Sequence, residues 1–65
     1  MCEANVYLVN EDGKKTLLIE SVDKILPKED GLHLENIFGE RKTIKAKIIE
    51  MALVEHSIFI KKDED

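Results

Sequence analysis

Apolar and polar residues alternate along this chain in short runs separated by turn-forming residues, and the alternation has period two rather than the period of about 3.6 that marks a helix. Glu3 to Val9 (EANVYLV) puts Ala4, Val6 and Leu8 on one face and predicts a first strand. Asn10-Glu11-Asp12-Gly13 supplies turn chemistry, because Asn and Asp bond their own backbone and Gly accepts positive φ, so Lys14 to Glu20 is read as a second strand closing a hairpin. Val22 to Leu26 resumes the alternation as a third strand, with Val22 and Leu26 on one face, and ends at Pro27 before the turn Glu29-Asp30-Gly31. Leu32 and Leu34 alternate with polar neighbours in a further strand, which Gly39 closes after Ile37 and Phe38.

The second half carries two periodicities. Ile44, Ile48, Met51 and Ala52 fit a helical stripe, but Ile48-Ile49 and Leu53-Val54 leave apolar residues on both sides of it, so strands are favoured. Ile58-Phe59-Ile60, after Glu55-His56-Ser57, then completes a hairpin. Lys61 to Asp65 has no apolar residue and is expected to fray, which places a single β domain at residues 1–62 and an acidic tail at 63–65. Short strands with frequent turns and no convincing covering helix predict an all-β fold, a small SH3-like or otherwise nearly closed β-barrel of about five to seven strands.

Length and charge narrow the function. A 65-residue chain has room for a thin core, which a disulfide, a metal or a second subunit commonly supplements. Cys2 is the single cysteine and has no partner within the chain. Lys and Arg total 10 against 14 Asp and Glu, and the net charge of -4 opposes general nucleic-acid binding, which rests on phosphate neutralisation. The start of the chain shows neither a signal peptide nor a membrane span, so a cytoplasmic location is expected.

Enzymatic motifs are missing: there is no nucleophile elbow, phosphate-cradling glycine loop, HExxH or CxxC pair, and a non-enzyme is expected. His33 on a strand and His56 in a turn read as surface residues, and Glu11-Asp12 and Glu29-Asp30 are explained by the turns they open. Tyr7 reads as half-buried beside the first hairpin, and Phe38 and Phe59 as core or interface residues. Arg41, Lys42, Lys45 and Lys47 form the one basic concentration; the bland reading is a solvated face, and the functional one is a small RNA-binding barrel.

Cys2 stands apart because of its position. If Met1 is removed, the Cys2 amine and thiolate close one five-membered chelate; if Met1 stays, its amine, the Cys2 amide nitrogen and the thiolate form two fused rings. Thiolate with nitrogen in a planar set suits Ni(II) or Cu(II), and two such termini related by a two-fold axis would supply two sulfurs. The candidate metal residues are Cys2, Met1 and Glu3.

Met1-Cys2, the Asn10-Glu11-Asp12-Gly13 turn, Val22, Gly31-Leu32 and the late Ile58-Phe59-Ile60 strand together resemble the CooT family of small nickel-binding proteins over nearly the whole chain. The resemblance implies a homodimer that carries Ni(II) for maturation of carbon monoxide dehydrogenase or another nickel enzyme, with Cys2 as the ligand shared between subunits. Similar sequences have also been labelled RNA-binding, which keeps the basic run as the alternative.

Overall fold

The computed structural model describes residues 3–62, and the predicted acidic tail at 63–65 lies outside them. Six strands form one sheet: β1 (Ala4–Val9), β2 (Lys15–Lys28), β3 (Gly31–Asn36), β4 (Arg41–Ile44), β5 (Ala46–Ala52) and β6 (Ser57–Lys62). Their spatial order is β4-β3-β2-β1-β6-β5. Every neighbouring pair is antiparallel except β1 with β6, which run parallel. The expected all-β class is observed, and the ambiguous second half is strand. Among the described residues no helix is long and apolar enough to cross a membrane.

The connection between the two edge strands shapes the sheet. In a flat six-stranded sheet β4 and β5 would lie five spacings apart, roughly 24 Å. Only Lys45 separates them in sequence, and two Cα steps reach at most about 7 Å. The sheet must therefore curl until its edges approach, and β3 comes to touch β5 although the two are not hydrogen-bonded neighbours. The result is a barrel left open by one seam, as the sequence pattern anticipates.

Gly31 permits that approach. A Cβ at this position would lie 2.6 Å from the Ile44 carbonyl oxygen and 3.2 Å from the Lys45 Cα, and its φ of +133° is one that side-chain-bearing residues rarely adopt. Inside the curl, Val6, Ile19, Val22, Leu32, Leu34, Ile58 and Ile60 are buried, and Ala4, Leu8, Ile25, Ile44 and Ile48 pack around them. Each such side chain taken fully from water contributes about 1.5–3 kcal/mol, so this cluster is the main source of stability opposing chain entropy.

The structure corrects the strand reading in several places. The predicted second and third strands are one strand, β2, whose fourteen residues would span about 43 Å if straight, more than the molecule's longest extent of 34 Å. β2 bends at Ser21, where φ is +57° and the register with β1 and β3 shifts on either side. Because side chains alternate with period two, the shift turns Ile25 inward and leaves Leu26 half exposed, not on the Val22 face as the simple alternation predicts. Pro27 does not end the strand: beyond Val22, β2 pairs only with β3, so a missing N–H on the seam side breaks no ladder bond.

At the other boundaries, β3 stops at Asn36 and leaves Ile37 and Phe38 in the following turn, and Leu53 and Val54 lie in the turn between β5 and β6. Lys61 and Lys62 do not fray. Lys61 pairs with both Val9 and Lys47, so ladder bonds on two sides hold a polar end that local composition marks as loose.

Gly31→Ala is expected to destabilise the fold by at least about 2 kcal/mol, since it adds a backbone clash to a strained φ. Gly13→Ala, with φ +83° and nothing within 4 Å of the added carbon, should cost only about 1–2 kcal/mol. Urea unfolding of the two variants checks the ranking; equal losses would mean that the seam does not depend on Gly31.

Candidate functional site

Register places four segments at one rim of the barrel. Ala4 lies opposite Val22, Val22 opposite Asn36, and Asn5 and Ala52 both opposite Ser57. The start of β1, the Ser21 bulge, the turn after β3 and the turn before β6 are therefore neighbours, though spread over most of the chain. Hydrogen bonds tie them: the Asn5 N–H donates to the His56 carbonyl (2.8 Å), the Ser21 N–H to Asn5 Oδ1 (3.2 Å), and the Ile37 N–H to the Ser21 carbonyl (2.9 Å). Left-handed backbone at Ser21 and His56 costs on the order of 1–3 kcal/mol each, which these bonds help offset.

Asn36 organises the turn after β3. Its buried side chain accepts from the Phe38 N–H (3.1 Å) and Glu40 N–H (2.9 Å) through Oδ1 and donates through Nδ2 to Glu40 Oε1 (2.7 Å). The turn is thereby rigid while its apolar side chains face water: Phe38 is 70% exposed. Across the rim Leu53 is 68% and Val54 94% exposed, so the rim presents apolar side chains from two turns.

Glu3 and His56 line two adjoining hollows at this rim. One, of about 270 Å³, has an apolar floor of Ala4, Val22, Ile25 and Ile58 with Asp23 and Leu53 at its edge. The other, of about 340 Å³, is completed by Asn5 and Ser21. Of the candidate metal residues, Glu3 is thus at the rim, while Met1 and Cys2 lie outside the described residues. Among the described residues no three His, Cys, Asp or Glu side chains converge to share a metal ion. His56 and Asp23 are the polar rim residues that sequence reasoning left out of the candidate set. The available signal was apolar residues inside turn sequences, Phe38 before Gly39 and Val54 before Glu55.

The other candidates lie elsewhere. His33 bonds Asp30 (Nε2 to Oδ1, 2.9 Å) on the surface, and this bond holds the Asp30 carboxyl below its ordinary value. The basic run divides: Arg41, 3.6 Å from Glu35, and Lys42 line one hollow with His33, whereas Lys45 and Lys47 line another with Lys28 at the seam. No Phe, Tyr or Trp side chain lines either one.

A single curled β-sheet, with Glu3 and the start of β1 at a rim of polar and apolar side chains, defines a small all-β protein. The chain belongs to the CooT family of CO dehydrogenase accessory proteins, whose model matches residues 1–61. It is also similar to a crystal structure assigned as CooT from Carboxydothermus hydrogenoformans, with 52% sequence identity, a TM-score of 0.91, and coverage of 97% of this chain and 100% of that one. No curated protein matches the sequence. The resemblance read from the sequence is thus correct, and the family's role is that of an accessory to an enzyme.

Asn36→Ala should destabilise the protein by about 1–3 kcal/mol, because two turn N–H groups lose their acceptor, and should speed amide exchange at Phe38 and Glu40; unchanged exchange there would show the turn is held otherwise. A folded carboxyl that titrates below its unfolded value contributes stability above the ordinary carboxylate range and loses it as pH falls through the lowered value. In His33→Ala the Asp30 midpoint, followed by carboxyl-carbon NMR, is expected to rise toward its ordinary value.

Proposed function

We propose that the protein is a homodimeric, non-enzymatic carrier of Ni(II) for CO dehydrogenase maturation, with the Cys2 thiolates of two subunits as its metal ligands. Ni(II) is the cargo in this reading, and terminal or backbone nitrogen completes the donor set around the sulfurs. The observation that carries the proposal is the meeting of the chain start with an exposed apolar rim. β1 is paired with β2 from Ala4, two residues after Cys2, and with β6 from Asn5, and Phe38, Leu53 and Val54 leave apolar surface uncovered at the rim where it begins. Such a patch is suited to a second copy, and a two-fold contact there would bring two chain starts together. The match of the family model across residues 1–61, which includes Cys2, supports the same reading.

Few fixed ligands suit delivery. A structural site closes its coordination shell and exchanges slowly, whereas a carrier must release the ion to its recipient. Glu3, Asp23 and His56 at the rim add polar groups able to solvate or assist the ion without enclosing it. Binding must weaken as pH falls, because protons compete for the thiolate and nitrogen donors. The cytoplasm, where thiols stay reduced, is the compartment consistent with such a ligand.

Titration of wild type and Cys2→Ser with Ni(II), followed by thiolate-to-metal charge-transfer absorption and by light scattering, tests the reading. Wild type is expected to saturate at about one Ni(II) per two chains as a dimer, and the variant to lose the absorption band. Equal binding by both proteins, or a monomeric nickel-bound species, would overturn it.

A further inference from the structure

The outward face of β2, β1, β6 and β5, on the side of these strands away from the core, carries two adjacent rows that the sequence does not reveal. In one, Leu17 lies opposite Tyr7 and Tyr7 opposite Phe59. The Tyr7 and Phe59 rings stack at 5.5 Å with an interplanar angle of 28°. Leu17 is 48% exposed at one end of this belt, and Ile49, set out by the register irregularity between Ile48 and Glu50, is 47% exposed at the other. In the next row Lys15 lies opposite Val9, Val9 opposite Lys61, and Lys61 opposite Lys47. Lys15 also reaches over Phe59, with Nζ 4.5 Å from the ring centroid.

We infer that this face is a docking surface for the enzyme that receives the metal, and that it fits an apolar hollow bordered on one side by carboxylates. The inference rests on the carrier reading above. Aromatic anchors flanked by aliphatic side chains, with charge at the border, are the makeup of a protein interface core and rim. Three in-register lysines on one flank require acidic complement on the partner and set the direction in which it docks. Single-stranded RNA also uses aromatic and basic faces, but here the belt ends in Leu17 and Ile49, Glu50 sits opposite Phe59, and the whole chain carries -4. A protein surface is the better match on each count.

Position supports the assignment. Tyr7 is four residues along β1 from Glu3, about 13 Å, so a partner covering the belt borders the rim where the chain starts while leaving the rim free for a second copy. The lysine row lies at the far end of the same strands. One strand thus carries the chain start at one end and an anchor for the recipient along its length.

The test measures direct binding of the metal-free protein to purified nickel-free CO dehydrogenase, by calorimetry at low and moderate salt. Wild type is expected to bind, with affinity falling as salt rises. The K15E/K47E/K61E variant should bind at least tenfold more weakly, as should Leu17→Ser combined with Ile49→Ser, whose small exposed changes spare the core. A K28E/K42E/R41E control, on the seam and the opposite edge, should bind as wild type. Ni(II) titration and light scattering of the same variants should match wild type, so that failure of the metal reading is seen separately from failure of docking. Binding within twofold of wild type by both face variants, loss confined to the control, or preferential binding of single-stranded RNA by this face would overturn the inference.

Discussion

A single residue, Lys45, joins the two edge strands of this sheet, and the rest of the structure follows from that short tie. A span of roughly 24 Å in a flat sheet is closed by a link that reaches about 7 Å, so the sheet has to curl. Curling gives the described residues an inside, where seven apolar side chains are buried with no helix among those residues to cover them. It also demands a place where backbone passes close to backbone. Gly31 meets that demand at the Ile44 carbonyl, and the bend in β2 at Ser21 lets one long strand serve both halves of the curl.

Curvature also separates the molecule into regions with different tasks. At the rim where β1 begins, turns fixed by Asn36 and by the His56 carbonyl hold apolar side chains out in water, an arrangement that costs hydration free energy unless something covers them. Along the outer face, the stacked Tyr7 and Phe59 rings and the in-register lysines form a second, chemically distinct surface. In the carrier reading proposed above the protein holds a cargo and presents it to an enzyme, which takes two such surfaces, and β1 belongs to both.

Local signals made much of the fold legible. Asn10 Oδ1 accepts from the Asp12 and Lys14 N–H groups, and Gly13 takes φ +83°, so the first hairpin forms from chemistry contained within five residues. Ile48-Ile49 and Leu53-Val54, apolar on both sides of any helical stripe, favour strands over the competing helix, and residues 46–52 are strand. What was not legible arises from distant partners. Nothing near Ser21 announces a bulge, because the groups that hold it are Asn5 Oδ1 and the Ile37 N–H, and with the bulge unseen the faces of Ile25 and Leu26 are exchanged. Glu3 could be nominated by its place beside Cys2, but Asp23 and His56 become its neighbours only through strand pairing.

The amino-acid sequence by itself determined the all-β class, the turns at residues 10–13 and 29–31 and the family, because period-two alternation, Asn/Asp/Gly turn chemistry and the Met1-Cys2 start are properties of adjacent residues. Only the tertiary structure decided that two predicted strands are one, that apolar turn residues gather at the rim where β1 begins, and that Lys15, Lys47 and Lys61 stand in a row beside a stacked aromatic pair. These depend on register between strands far apart in the chain, and register is set by burial of the shared core and by closure at Lys45 rather than by any local preference.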